Sequence, residues 1–175
     1  IEKYLKKIAS QNFKVIILRY PNIIGSSADG KLGEKNTSIS RIVPSLYKNI
    51  LKKKNNTIFY DFSKKSFPKR NYMHVEDIAQ INIKIVQNLK KFKKNYNVFN
   101  VNNHKQYSNI DVLNAISKIM KKKAQYSLKQ IDKKESMSQY HKSRDDLTKY
   151  INFNVKYKNL EKILKTNIKW FKKIY

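Results

Sequence analysis

The residues best suited to ligand chemistry in this sequence are its few arginines, because a guanidinium group meets two phosphate oxygens at once. Of the 39 basic residues only four are Arg. Arg70 directly follows a polar, basic loop pattern at 61–69 and stands immediately before a new element. Ligand-contacting residues are common on loops, so Arg70 is a candidate for binding a diphosphate. Pairing with a nearby acid is the alternative, since surface ion pairs are common.

An amide side chain supplies the second candidate. Asn22 follows the apolar run at 13–18, which has the pattern of a buried parallel strand. Open parallel sheets place their ligands beyond the carboxyl ends of the strands, and an amide there can donate to and accept from sugar or phosphate oxygens. On the residues alone, Pro21 and Asn22 could equally form only a turn.

Metal and thiol chemistry have no support in the sequence. It contains three His and no Cys, and no carboxylates stand at the spacing of a metal site. We therefore expect no metal site and no disulfide.

The net charge of +27 raises a different class of function. Clustered basic residues neutralise phosphates, so a basic nucleic-acid or anionic-surface binder is one alternative. However, the basic residues are mostly Lys in short groups such as 52–54 and 121–123, whereas base and phosphate readers favour Arg. Asn, Ile and Tyr are abundant as well and share A/T-rich codons with Lys. We interpret the charge mainly as solvent-facing lysines and expect no specific nucleic-acid partner.

The elements that must position Asn22 and Arg70 alternate between strand and helix patterns. Strand patterns cover 13–18, 57–60 and 97–101, and 125–131 is expected to be extended. Helix patterns cover 1–8, 39–53, 75–89, a segment opened by a capping box at Ser108 and Asp111, and two stretches after 145. All three glycines lie at 25–33, which predicts the principal loop. This alternation predicts an α/β fold with a mainly parallel sheet.

The length of 175 residues suits one domain or part of a larger one. Because the helical pattern at Ile1 has no N-cap before it, we expect a fragment whose beginning lies upstream. No apolar run approaches the roughly 20 residues that cross a bilayer, and no leader pattern opens the chain. The expectation is a cytoplasmic protein with no membrane partner.

Several motifs, taken in order, resemble the C-terminal half of the extended short-chain dehydrogenase/reductases that act on nucleotide sugars, the NAD-dependent epimerase/dehydratase family. They are Leu-Arg-Tyr-Pro-Asn at 18–22, Gly-Glu at 33–34, Arg-Asn-Tyr-Met-His-Val-Glu-Asp-Ile-Ala at 70–79 and Tyr-Asn-Val-Phe-Asn at 96–100. The resemblance covers essentially the whole chain and is strongest to the 4-epimerase branch. It implies an extended Rossmann-type fold in which 1–37 and 70–103 complete the sheet. Residues 38–69 and 104–175 would then form most of a small substrate-binding subdomain.

The resemblance also implies a set of site residues. Tyr20 and Pro21 would lie beside the nicotinamide of NAD. The residues expected to hold the nucleotide sugar are Asn22, Arg41, Ile42, Thr57, Phe59, Arg70 and Tyr140. Arg70 would bind the diphosphate, while Thr57 and Phe59 would line a uracil pocket, although an aromatic residue in a strand is more commonly core. His74, beside Asp77, would be structural rather than catalytic.

The resemblance further implies the activity, which is interconversion of UDP-glucose and UDP-galactose at C4 with NAD as the cofactor. No Gly-x-x-Gly-x-x-Gly turn occurs in the sequence. The one Tyr-x-x-x-Lys spacing, Tyr60 to Lys64, lies far after the Leu-Arg-Tyr-Pro-Asn motif, whereas the family has its catalytic pair before that motif. The family's catalytic Tyr would fall just upstream of Ile1, so we expect no catalytic residue in this chain and no turnover by the 175 residues alone. A homodimer is possible in the full-length enzyme.

Two departures from the 4-epimerase pattern keep sister enzymes open. The loop at 61–69 is shorter than in that branch, and Asn71 replaces the usual Asp after the arginine. A nucleotide-sugar dehydratase or decarboxylase is therefore the alternative within the family.

Overall fold

Strands and helices alternate along the chain, as the hydrophobic patterns predict. The computed structural model describes residues 1–35, 41–103, 105–132 and 146–175. The strands are β1 (Val15–Arg19), β2 (Asn22–Ile24), β3 (Asn56–Tyr60), β4 (Lys69–His74), β5 (Tyr96–Asn100), β6 (Gln106–Ser108) and β7 (Tyr126–Gln130). The helices are α1 (Glu2–Ile8), α2 (Ile42–Leu51), α3 (Val75–Gln87), α4 (Asn109–Met120) and α5 (Leu160–Ile174).

The described strands form three small sheets, and most of their pairings are parallel. Strand β1 pairs with β5, β2 with β4, and β3 with β7, all in parallel. Strand β4 also pairs with β6 in antiparallel orientation. The prediction of an α/β fold with mainly parallel pairing is therefore confirmed. The division into 1–37 with 70–103 and 38–69 with 104–175 stays a prediction.

Short or polar strands are the elements that the hydrophobic pattern did not predict. Strand β2 has three residues, too few to establish a period, and it contains Asn22, for which a turn was one of the two interpretations left open. Strand β4 begins at Lys69, so Arg70 lies inside a strand rather than at the exit of a loop. After 145, the first of the two expected helices is only a 3-10 turn at Leu147–Lys149.

Two hydrophobic clusters fix these elements. One packs α2, α4 and α5 together with Ile58 and Tyr72, and the other packs α3 against β1 and β5 around Phe92 and Phe99. Burying each large apolar side chain stabilises the fold by about 1.5–3 kcal/mol. Because side chains alternate along a strand, Tyr72 enters the first cluster and Met73 the second. Strand β4 therefore lies between the two clusters, and packing on both of its faces fixes the position of the strand.

The capping box predicted from Ser108 and Asp111 is present at the start of α4. The Ser108 hydroxyl accepts from the Asp111 N–H, and the Asp111 carboxylate accepts from the Ser108 N–H. Both interactions satisfy donors at the helix end that would otherwise lack partners. This cap fixes where α4 begins, directly after β6.

Candidate functional site

A cavity of about 820 Å³ lies among β2, β3, β4 and the first turn of α2. Ligand pockets for small molecules have this size. The sequence-predicted residues that line it are Pro21, Asn22, Arg41, Ile42, Thr57, Phe59 and Arg70. Tyr20 is not among its lining residues, and Tyr140 lies outside the described residues. The structure thus brings seven of the nine candidates to one place, although they come from four separate segments.

Strand register explains why Asn22 and Arg70 meet at the cavity. Asn22 on β2 is paired with Tyr72 on β4. Arg70 lies two residues before Tyr72 on the same strand, so both side chains leave the same face. Asn22, Tyr72 and Arg70 all line the cavity. A guanidinium and an amide that are distant in sequence therefore face one space.

Tyr72 connects these two groups electrostatically. The ring is 1% exposed, and burial raises the pKa of the Tyr72 phenol. The positive charge of Arg70 and hydrogen bonding to the Asn22 side chain act in the opposite direction. The phenol is neutral at physiological pH and can both donate and accept a hydrogen bond.

The two arginines that line the cavity differ in burial: Arg41 is exposed and Arg70 is half-buried. The Arg41 Nε forms an ion pair with Glu34 Oε1 at 3.1 Å. Arg70 is half-buried, and its Nη1 donates to the backbone oxygen of Lys69 at 3.2 Å. A half-buried guanidinium is screened less by solvent than an exposed one, which favours Arg70 as an anion-binding group.

The first turn of α2 contributes backbone groups to the same wall. Arg41 is its N-cap residue and makes no side-chain cap hydrogen bond. The N–H groups at a helix start favour an anion, and the aligned peptide dipoles act in the same direction. Ile42, at the first helical position, lines the cavity beside them.

The uracil-pocket candidates lie on alternate positions of β3. Thr57 is exposed and Phe59 half-buried, and both line the cavity, while Ile58 between them is 1% exposed in the core. Phe59 belongs to neither hydrophobic cluster. Its ring is therefore available as a flat apolar wall rather than used in core packing.

Tyr20 and Pro21 are the residues that the resemblance assigns to NAD. The Tyr20 ring is 39% exposed, and its hydroxyl donates to Asn82 Oδ1 at 2.9 Å. Pro21 is half-buried and lines the cavity. The assignment of these two residues to NAD stays a prediction.

His74 has the geometry of a structural histidine. It is 0% exposed, and its Nδ1 accepts from the Glu76 N–H at 3.0 Å as the N-cap of α3. The Nε2 atom therefore holds the proton and donates to Thr166 Oγ1 at 2.9 Å. The ring stacks on Tyr157 at 3.5 Å between centroids. His74 does not line the cavity, and its assignment as structural rather than catalytic stays a prediction.

The buried His74 ring predicts a loss of stability in acid. Burial, the largest cause, lowers its pKa to about 4 from an ordinary 6.5, while Glu76 and Asp77 act in the opposite direction and Lys156 acts with burial. Between pH 6.5 and about 4 the unfolded chain binds a proton that the folded chain does not, so stability falls as pH falls through this window. We expect a loss of about 3 kcal/mol.

Urea denaturation from pH 7 to pH 4 measures this effect. His74→Asn keeps a side chain that can cap α3 but cannot titrate, so its stability should change less than that of the wild type across the same window. Parallel stability curves for the two proteins would contradict the assignment.

Among the cavity residues that sequence reasoning missed are Tyr72 and Glu34. Tyr72 stood inside the motif at 70–79, and its i, i+2 spacing from Arg70 was the signal that could have found it. Glu34 stood in the Gly-Glu pair, but only the fold shows that it meets Arg41. Its backbone oxygen accepts from Trp170 Nε1 at 2.9 Å, which fixes the loop to α5.

The described part of the chain contains neither a metal-ligand cluster nor a membrane-spanning helix. No group of three or more His, Asp or Glu residues among the described positions could hold a metal ion. None of the described helices is both long enough and apolar enough to cross a membrane.

Parallel strands joined through helices, with a ligand-sized cavity at the sheet edge, define a Rossmann-type α/β protein. The family model of the NAD dependent epimerase/dehydratase family matches residues 1–101. The chain belongs to this family.

Two curated relatives are UDP-glucose 4-epimerases. The relative from Lactobacillus helveticus is 31% identical over 114 residues, which cover 63% of this chain and 34% of the relative. The relative from Lacticaseibacillus casei is 26% identical over 163 residues, which cover 90% of this chain and 48% of the relative. The chain thus spans half or less of the length of the relatives it matches.

Solved structures show the same fold. The UDP-glucose 4-epimerase from Bifidobacterium longum in complex with NAD+ and UDP is 20% identical, with a TM-score of 0.81 over 98% of this chain and 52% of that chain. The UDP-glucose 4-epimerase from Thermotoga maritima with UDP-glucose is 22% identical, with a TM-score of 0.72 over 99% of this chain and 51% of that chain.

Proposed function

We propose that this chain forms the nucleotide-sugar-binding part of an NAD-dependent enzyme that interconverts UDP-glucose and UDP-galactose. The observation that supports this most directly is the cavity that gathers Arg70, Asn22, Thr57 and Phe59. Membership of the epimerase/dehydratase family gives the reaction class. The matched UDP-glucose 4-epimerases favour the particular substrate.

In this proposal the cavity divides by chemistry into three parts. Arg70 binds the diphosphate, supported by the first turn of α2 at Arg41 and Ile42. Thr57 and Phe59 hold the uracil between a hydroxyl and an aromatic face. Asn22 then contacts the sugar end, where the amide can both donate and accept.

The chain's own residues would bind and orient the sugar rather than move its protons. Hydride transfer at C4 of the sugar is the chemistry that NAD supplies when bound. Tyr20 and Pro21 would hold the face of the nicotinamide ring near Asn22, because they connect β1 to β2 directly before Asn22. Fixing sugar and ring at one edge of the sheet removes the entropic cost of bringing them together.

Binding of UDP tests the proposal on the chain as given. We expect saturable binding of one UDP in isothermal titration calorimetry, with UMP at least about tenfold weaker because it lacks the second phosphate that Arg70 would contact. Equal affinity for UDP and UMP, or no saturable binding beside steep, salt-dependent binding of random duplex DNA, would contradict the proposal.

The reaction is tested in an enzyme that contains this chain together with a dinucleotide-binding half. Such an enzyme should form UDP-galactose from UDP-glucose. A 4-keto-6-deoxy or decarboxylated product would show a sister enzyme instead, with the same nucleotide pocket and a different outcome at the sugar. The 175 residues alone are expected to bind UDP without turnover.

A further inference from the structure

We propose that a second anion site lies where two lysine-bearing turns converge, and that it binds a small oligophosphate. The segments at 52–54 and 121–123 are far apart in sequence but meet at a cavity of about 320 Å³. It is lined by Ile50, Lys53, Lys54, Lys122, Lys123 and Gln125. None of these described lining residues is acidic, and none of them lines the larger cavity.

The backbone of each lysine turn is fixed by hydrogen bonds at the end of a helix. After α2, the Lys54 N–H donates to the Asn49 oxygen at 2.8 Å. After α4, the Lys122 N–H donates to the Ser117 oxygen at 3.2 Å, and the Ser117 hydroxyl donates back to the Lys122 oxygen. The lysine stems therefore start from ordered positions.

A separate contact holds the two turns against each other. The backbone oxygen of Gln125 accepts from both the N–H and the side-chain Nδ2 of Asn56, at 3.0 and 2.8 Å. This contact ties the segment before β7 to the first residue of β3. Because each lysine group lies only a few residues from this tie, the two groups remain close together.

The four ammonium groups have no local compensation. None of the lysines at 53, 54, 122 and 123 forms an ion pair with another described residue. Glu161 is already paired with Lys118 and Lys165 at 3.4 and 3.6 Å. Like charges around one concavity repel and raise the local concentration of anions, so a bound polyanion would relieve that repulsion.

Complementing the helix dipoles does not account for these lysines. The C-terminal turns of α2 and α4 already contain Lys48 and Lys118. A cation affects the dipole mainly within that last turn. The four pocket lysines lie beyond the last residues of α2 and α4, and in addition to these helix ends they share the cavity.

The composition of the pocket identifies its ligand class. It offers Lys point charges and one neutral amide, with neither Arg nor an aromatic ring to read a base. A concavity of this volume accommodates a diphosphate or triphosphate group, whereas a duplex would need an extended basic surface. The shared chemistry is an oligophosphate, either free or as part of a nucleotide.

Calorimetry with inorganic tripolyphosphate tests this site. The pocket variant replaces four lysines by Gln at 53, 54, 122 and 123. The control variant makes the same charge change at lysines 6, 7, 90 and 91, which are exposed like the pocket lysines but do not line the cavity. Each protein is measured with saturating UDP and, separately, in an Arg70→Ala background, so that the larger cavity does not contribute. If UDP does not bind, the measurement in the Arg70→Ala background still tests the lysine pocket, because it needs no UDP.

We expect the pocket variant to bind tripolyphosphate at least about tenfold more weakly than the control variant. A cooperative urea unfolding transition checks that both variants are folded. Tighter binding of ATP than of tripolyphosphate would identify a nucleotide as the source, and equal binding a free oligophosphate. If tripolyphosphate binding weakened equally in both variants, net charge rather than the pocket would explain the binding, and the proposal would be overturned. Loss of duplex binding without loss of tripolyphosphate binding would overturn it as well.

Discussion

Arg70→Ala is expected to weaken UDP binding about 100-fold, a loss of about 2.7 kcal/mol. Arg70 is half-buried on β4 and faces the same cavity as Asn22. A guanidinium that meets two phosphate oxygens makes charge-assisted hydrogen bonds, and truncating one partner of such a pair typically costs 2–5 kcal/mol. Isothermal titration with UDP measures the effect directly.

Two further substitutions separate geometry from charge. Arg70→Lys keeps the positive charge but not the planar fork, so we expect an intermediate loss of about tenfold. Arg19→Ala removes an arginine that is paired with Glu2 and does not line the cavity, and it should leave UDP binding unchanged. If Arg19→Ala weakened binding as much as Arg70→Ala, net charge rather than the site would explain the result.

The sequence predicts the apolar elements of this fold well because burial imposes a period on them. The segment at 13–18 has a strand pattern, and β1 lies there. The segment at 75–89 has a helix pattern, and α3 lies there. Strands β2 and β6 have three residues each, too few to show a period, and both pair with β4. Their partners are distant in sequence, so no local pattern could reveal them.

The same distinction applies to the cavity. Residue type and motif position singled out Arg70 and Asn22, but their convergence follows from the pairing of β2 with β4. Tyr72 is a cavity residue only because that register places it opposite Asn22. The ion pair between Glu34 and Arg41 likewise joins a loop to a helix start. Roles that depend on long-range pairing become visible only in the folded chain.

Strand β4 and the helix that follows it link the nucleotide cavity to the buried polar network. Arg70 and Tyr72 on β4 face the cavity, and His74 at its end caps α3. Thr166 on α5 accepts from His74 and from the Ser26 N–H, which follows Gly25 directly. The loop after β2 and His74, the last residue of β4, are thus both fixed to Thr166. We therefore expect a change at Gly25 to lower the stability of the whole fold.

Gly25→Ala is therefore expected to destabilise the protein by about 4 kcal/mol, through backbone strain and overpacking together. Gly25 has a φ of +107°, and a Cβ there would lie 2.4 Å from Cδ2 of the buried His74 ring. The ring cannot move away, because both of its nitrogens are hydrogen bonded and Tyr157 stacks on its face.

Gly30→Ala is the matched control: the φ of Gly30 is also positive, at +70°, but a Cβ there would meet only the flexible stem of Lys169 at 3.2 Å. Urea denaturation should show a loss of about 1–2 kcal/mol for Gly30→Ala, and similar losses for the two variants would mean that the close approach to His74 does not constrain the loop.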